Sequence, residues 1–264
     1  MRIPKSSSGE MPFLDHLEEL RWRIIYSLAA LVIGVGIGFY VTLHWDLILW
    51  LQRPVMPYLR GSAHTLVYTH PGDTFNVMLQ MALVVGIVIA LPVVGYNVWA
   101  FLSPALYRHE RKVVIPVLAA ATVLFAGGVA MAYFLVLPMT LEFLFGLEAS
   151  SLTPMITVSE YFGFVTSMCL AFGAVFEVPI VIVGASALGL VSPQKLASFR
   201  KFAVVIAWGG AAIITPGDLF TTTLALAIPL YLLYEVSVAV SYVIHRKRRR
   251  RTEQLEAEQS GAPA

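Results

Sequence analysis

The chain alternates between long stretches of Leu, Val, Ile and Ala and short segments that hold nearly all of its charge. Six apolar stretches can be drawn, at about residues 24–43, 75–100, 113–139, 161–191, 202–214 and 219–244. The first is 20 residues without a charge, and the second is also uncharged. A helix needs about 20 apolar residues to cross the ~30 Å hydrocarbon core of a bilayer. The pattern therefore predicts an all-α polytopic membrane protein, with residues 1–244 forming a single transmembrane domain of six helices. The fifth stretch, Phe202 to Ile214, is 13 residues and makes only about 20 Å of helix. Such a length also suits a re-entrant arm, but a short span works where the bilayer thins or where the helix sits inside a bundle.

The flanks read differently. Phe13, Leu17, Leu20 and Ile24 fall on one helical face, and Pro12 suits a first turn. Residues 12–23 are thus expected as an amphipathic helix on the cytoplasmic surface, before the first span. Residues 245–264 turn basic and then polar and acidic, the composition of a disordered cytoplasmic tail. The first apolar run is longer than a signal-peptide core and reads as a retained anchor.

Pro92, Pro116, Pro179 and Pro229 stand inside the apolar stretches. Each removes a backbone donor, so bent helices and a cupped bundle are expected. Gly34-x-Gly36-x-Gly38, Gly127-Gly128 and Gly209-Gly210 allow neighbouring helices to approach closely.

Composition agrees: 58% of residues are hydrophobic and 13% charged, against about 25% charged in soluble domains. Mean hydropathy is +0.77. The cations set the orientation. With six spans and both termini cytoplasmic, sixteen of the eighteen Lys and Arg residues lie inside, leaving Arg53 and Arg60 outside. This is the asymmetry of the positive-inside rule.

Several chemistries are absent. No G-x-x-x-x-G-K-[ST] phosphate loop, H-E-x-x-H zinc motif or G-x-S-x-G nucleophile elbow occurs in the sequence. The single Cys169 lies in an apolar stretch, where an inert buried thiol is the ordinary outcome. The sequence gives no support for an enzyme, a cofactor, a metal or nucleic-acid binding.

The remaining charge forms three groups. The first is Asp15-His16-Leu17-Glu18-Glu19-Leu20-Arg21-Trp22-Arg23, where Glu19 can pair with Arg23 one turn on. The second is the loop Trp99 to Lys112, where Glu110 is the only acid among basic neighbours. It reads equally as an interfacial anchor or as a binding site. The third is Glu177, deep in the fourth stretch and two residues before Pro179. An acid there costs about 2.5–3.5 kcal/mol to insert, so a functional role is the default. Glu235 is a weaker case of the same kind. Asp218, in the turn Thr215-Pro216-Gly217-Asp218, can cap the sixth helix. These features leave open a proton-coupled secondary transporter built on Glu177, a membrane scaffold, and a binding receptor.

Four segments carry a resemblance. H-L-E-E-L-R at 16–21, W-A-F-L-S-P-A-L-Y-R-H-E-R at 99–111, A-F-G-A-V-F-E-V-P at 171–179 and T-P-G-D-L-F at 215–220 resemble the signature segments of TatC. TatC is the large integral subunit of the twin-arginine protein translocase of the bacterial cytoplasmic (inner) membrane. The resemblance covers residues 11–243. It implies a receptor for twin-arginine signal peptides that exports folded precursors using the proton-motive force. It implies single-span partners of the TatA and TatB type, and self-association within the complex. It assigns arginine recognition to Glu19 and Glu110, with Arg21, Phe101 and Pro104 in the same site. It places the intramembrane family acid on Glu177 and the periplasmic turn acid on Asp218. Two departures are visible: Gly217 replaces the commoner second proline of the turn, and Glu18 adds an acid beside Glu19.

Overall fold

In the computed structural model, residues 13–59, 66–102, 114–147, 155–214 and 221–259 are described. Among them the chain is helical throughout: α1 (Phe13–His44), α2 (Leu47–Gln52), a 3-10 turn (Met56–Tyr58), α3 (Asp73–Leu102), α4 (Val114–Met131), a π-helical turn (Ala132–Val136), α5 (Leu137–Gly146), α6 (Val158–Phe176), α7 (Val178–Ala187), α8 (Pro193–Ser198), α9 (Arg200–Ile214) and α10 (Thr221–Gln259). Five stretches are long and apolar enough to cross a membrane: His16–His44, Asp73–Phe101, Ile115–Gly146, Val158–Ala187 and Thr223–Lys247. In an 18-residue apolar window of each, only 11% to 39% is buried within the chain, so much of each helix is left for another environment to cover. Hydrocarbon takes that surface at no cost, since lipid tails are as apolar as leucine.

Two expectations are corrected at the ends. Residues 13–23 are not a separate helix, because α1 runs on from Phe13 into the first apolar stretch. The junction Leu20-Arg21-Trp22-Arg23-Ile24 contains no Gly or Pro to stop a helix. At the other end, α10 continues to Gln259 instead of giving way to a disordered tail at 245. Arg, Lys, Glu, Gln and Ala are strong helix formers, and Arg249 pairs with Glu253 one turn on at 2.7 Å.

The helix starts obey local chemistry. The Thr157 hydroxyl caps α6 by accepting from Glu160 N, and Ser192 caps α8 by accepting from Lys195 N, with Pro193 next. Asp73 opens α3 and its carboxylate accepts from the N–H groups of Thr69 and His70, both at 2.9 Å.

Prolines act in three ways. Pro92 and Pro229 lie inside α3 and α10. Pro116 sits in the first turn of α4, where a missing N–H is tolerated. Pro138 follows the π-helical turn. In a regular helix its ring would strike the carbonyl of Phe134, and the wider turn before it relieves that clash. The turn also directs neighbouring side chains apart: Tyr133 is 6% exposed and Phe134 is 64% exposed.

α1 lies along α3, which also meets α4 and α6; α7 and α9 pack on α10. The α1–α3 contact is made by glycine. A Cβ on Gly86 would stand 2.6 Å from the Cα of Val35, and one on Gly34 would stand 2.5 Å from the Gly86 oxygen. Gly36 faces open space instead, as do Gly127, Gly209 and Gly210, whereas Gly128 meets the α6 backbone at Phe172.

Part of the buried core lies at the end that carries α2. Val55, Leu59 and Leu66 from the α1–α3 connection pack on Tyr133, Val136, Leu137, Tyr161 and Phe162. The last carbonyls of α2 lack the regular partner four residues on, and Trp50 O accepts only from Arg53 N, at 3.3 Å, within the backbone. Trp50 O accepts from the Tyr133 hydroxyl at 2.7 Å, and Leu51 O from the Tyr161 hydroxyl at 2.8 Å. Val67 and Thr157 form an isolated parallel bridge beside them. Two connections far apart in sequence are thereby joined into one cap.

Gly86→Val is expected to force α1 and α3 apart and to cost about 1–3 kcal/mol, as overpacking does. Gly36→Ala should be neutral or slightly stabilising. Thermal unfolding of both purified variants in detergent checks the contrast; equal melting temperatures would remove the close contact.

Candidate functional site

The start of α1 meets the end of α3. The His16 ring stacks on Phe101 with centroids 4.4 Å apart and planes 13° from parallel. This contact seats the H-L-E-E-L-R segment beside the point where the aromatic loop leaves α3. Phe101 is half-buried, and Asn97 one turn before it is buried, donating from Nδ2 to Val93 O at 3.0 Å.

Glu19 lies one turn beyond His16. Its Oε1 accepts from an Arg23 guanidinium nitrogen at 2.9 Å, with both side chains about three-quarters buried. Its Oε2 is buried and has no hydrogen-bond partner. A carboxylate that keeps one oxygen dry and unpaired is half-satisfied, and a second cationic donor can engage that oxygen before Arg23 is displaced from the other. Glu18 and Arg21 are exposed on the same helix. The register thus separates the two acids: Glu19 faces protein, Glu18 does not. Glu110, Pro104 and Asp218 lie outside the described residues.

Glu177 stands at the one-residue break between α6 and α7, with φ −78° and ψ −15°. Its N–H donates to Ala174 O at 3.1 Å, and its carbonyl accepts from Ile180 N at 2.9 Å and from Val181 N at 3.1 Å. The side chain is half-buried, and Oε1 is buried without a partner. Just before it, α4 and α6 approach closely: a Cβ on Gly173 would lie 2.6 Å from the Phe125 ring.

Glu235 is not the isolated acid that the sequence pattern indicates. Its carboxylate pairs with Arg200 at 2.9 Å and accepts from the Tyr231 hydroxyl at 2.7 Å. The Tyr234 hydroxyl donates to Leu196 O at 2.6 Å, and Ser186 hydrogen-bonds Ser241. Together these tie α7, α8 and α9 to α10. In the sequence, Arg200 counts only among the cations placed inside. Nothing in the local pattern links it to an acid 35 positions away. His16 was within reach, since it shares a helical face with Glu19.

Residues 15–229 match the family described as Sec-independent protein translocase protein (TatC). The chain belongs to the TatC family. It is 41% identical over 241 residues to the Sec-independent protein translocase protein TatC of Aquifex aeolicus, covering 90% of this chain and 98% of that one. The TatC of Escherichia coli K12 is 35% identical over 250 residues, covering 94% and 95%. Among solved structures, the crystal structure of the twin arginine translocase receptor TatC superposes with a TM-score of 0.69 at 39% identity, over 87% of this chain and 99% of the other. The same receptor crystallised in DDM gives 0.70 at 40% identity, over 86% and 99%. The chain is a translocase component of the bacterial inner membrane, with several membrane-spanning helices.

Proposed function

We propose that this TatC-family chain is the receptor for twin-arginine signal peptides, and that Glu19 and Glu110 recognise the two arginines. The observation that carries the reading is the Glu19 carboxylate: one oxygen engaged by Arg23, the other buried and unpaired. It lies one turn from the His16–Phe101 stack, at the end of α3 from which the Glu110 loop departs. Two adjacent guanidiniums offer two planar donor forks, and each takes its own carboxylate. Phe101, Pro104 and the exposed Arg21 belong to the same proposed site. The resting Glu19–Arg23 pair exchanges for a ligand pair on binding.

The receptor reading extends to the whole assembly. Six spans, with α9 as the short fifth, place both termini and the 103–112 loop in the cytoplasm, in line with the sixteen inner cations. Partner subunits of the TatA and TatB type, together with further copies of this chain, complete a translocase driven by the proton-motive force. Asp218 is the candidate acid for the segment that joins α9 to α10. Glu177, at its helix break, offers a hydrogen bond to an inserted helix.

Three outcomes are expected. A cysteine placed at Ser103, in a variant lacking Cys169, should react with impermeant maleimide only after the membrane is opened; labelling of intact cells would overturn the orientation. Glu110→Ala should weaken binding of a twin-arginine peptide by roughly 10–150-fold, the loss of about 1.5–3 kcal/mol of charge-assisted hydrogen bonding. Glu19→Ala should act similarly, Glu18→Ala more mildly, and a twin-lysine peptide should bind weakly to all. Wild-type affinity in Glu110→Ala would remove that residue from the site. Finally, Glu177→Gln should keep most transport of a folded precursor in membrane vesicles, and Glu177→Ala should lose it. Both should bind signal peptide normally, whereas equal loss of transport in the two variants would make ionisation the governing property.

A further inference from the structure

Beneath the α2 cap lies a cleft of about 260 Å³, bounded by α2, α3, α4 with its π-helical turn, and α6. Its walls come from Val84 and Val88 on α3, Val129 on α4, Tyr133 on the π-helical turn, and Val165 and Cys169 on α6. Ala126 and Ala130 line it while remaining exposed, so the cleft opens sideways along α4. Trp50 and Phe134, 38% and 64% exposed, form its rim near the cap. All three long walls belong to membrane-crossing stretches, so the opening faces hydrocarbon.

We propose that this cleft holds one acyl chain of a membrane phospholipid. The competing occupants fit poorly. Water needs two to four polar partners. Thr166 is 6% exposed and its hydroxyl oxygen is buried without a partner, while the Tyr133 hydroxyl is committed to Trp50 O. One free hydroxyl does not hold a water network. A helix is about 10–12 Å across with its side chains, too wide for the volume. An unbranched chain is narrow and flexible, and is the molecule already present at the opening. An apolar cavity of about 150 Å³ stays dry and takes a six-carbon ring, so this one, scaled by volume, takes on the order of ten carbons. Filling it restores dispersion contacts that an empty wall forgoes. The cleft sits where the cap, α3, α4 and α6 converge, so the chain acts as part of the core at the outer end of the bundle.

Native mass spectrometry of the full-length protein, purified in mild detergent and titrated with phosphatidylethanolamines, tests this. One dioleoyl lipid should survive activation that strips the rest, and a dihexanoyl lipid, whose chains are too short to fill the cleft, should be retained at least tenfold less. Ala130→Phe, which plugs the opening, should lower dioleoyl retention by a similar factor, and Thr166→Val should leave it unchanged. Equal retention of long and short chains overturns the proposal, as does equal retention by wild type and a folded Ala130→Phe. Loss of retention in Thr166→Val also overturns it, because the ligand would then be a molecule whose polar atom bonds that hydroxyl. If Ala130→Phe fails to fold, the chain-length comparison on the unaltered protein decides.

Discussion

Hydrocarbon offers the backbone no hydrogen-bond partner, and this constraint shapes every described element. Each membrane-crossing stretch is helical because only a helix pairs its own N–H and C=O groups. Where the ladder is interrupted, the interruption is enclosed by protein or repaired locally. The π-helical turn at 132–136 is packed into the core through Ala132, Tyr133 and Val136. The break at Glu177 is bridged by the hydrogen bonds from Glu177 N to Ala174 O and from Ile180 and Val181 to Glu177 O. The exhausted carbonyls of α2 are taken up by two tyrosines. The cap that results is a by-product of satisfying a short helix, yet it fixes the ends of α4 and α6 that meet α2.

The same constraint sorts the acids. Glu235 has its charge answered by Arg200 and Tyr231, and serves to fasten α9 to α10. Glu19 is half answered by Arg23, which is the condition for exchange. Glu177 is unanswered at one oxygen and placed where the helix has already paused. Three carboxylates of the same chemistry thus occupy three degrees of satisfaction. The gradation runs from structure toward function: an acid with every partner in place has nothing left to offer a ligand.

The spanning helices were legible because long apolar runs need only composition to be read. The clusters around Glu19 and Phe101 were legible as clusters, and the motif spacing placed them in one family. Their meeting through His16 was not legible, because a contact between the first and third helices depends on how α1 and α3 cross. That crossing is set by Gly34 and Gly86, and of these the sequence marked only Gly34, since Gly86 stands alone in an apolar run. Arg200 and Glu235 failed for the same reason: their pairing is tertiary. The charge of the tail carries no helix signal of its own, whereas a helix already formed upstream removes the nucleation cost for residues that follow it.

The continuity of α10 has a mechanical consequence. From Pro229 to Gln259 the helix rises about 45 Å, at roughly 1.5 Å per residue. Pro229 leaves the Ala225 carbonyl without its usual donor, and so marks the softest point of the rod. A tilt of a few degrees there moves the far end by several ångströms. Because Tyr234, Glu235 and Ser241 fasten α10 to α8, α9 and α7 on the far side of that point, a tilt there carries all three helices along with the basic stretch beyond them. The last helix is thereby a lever, with its fulcrum in the bilayer and its load of arginines in the water.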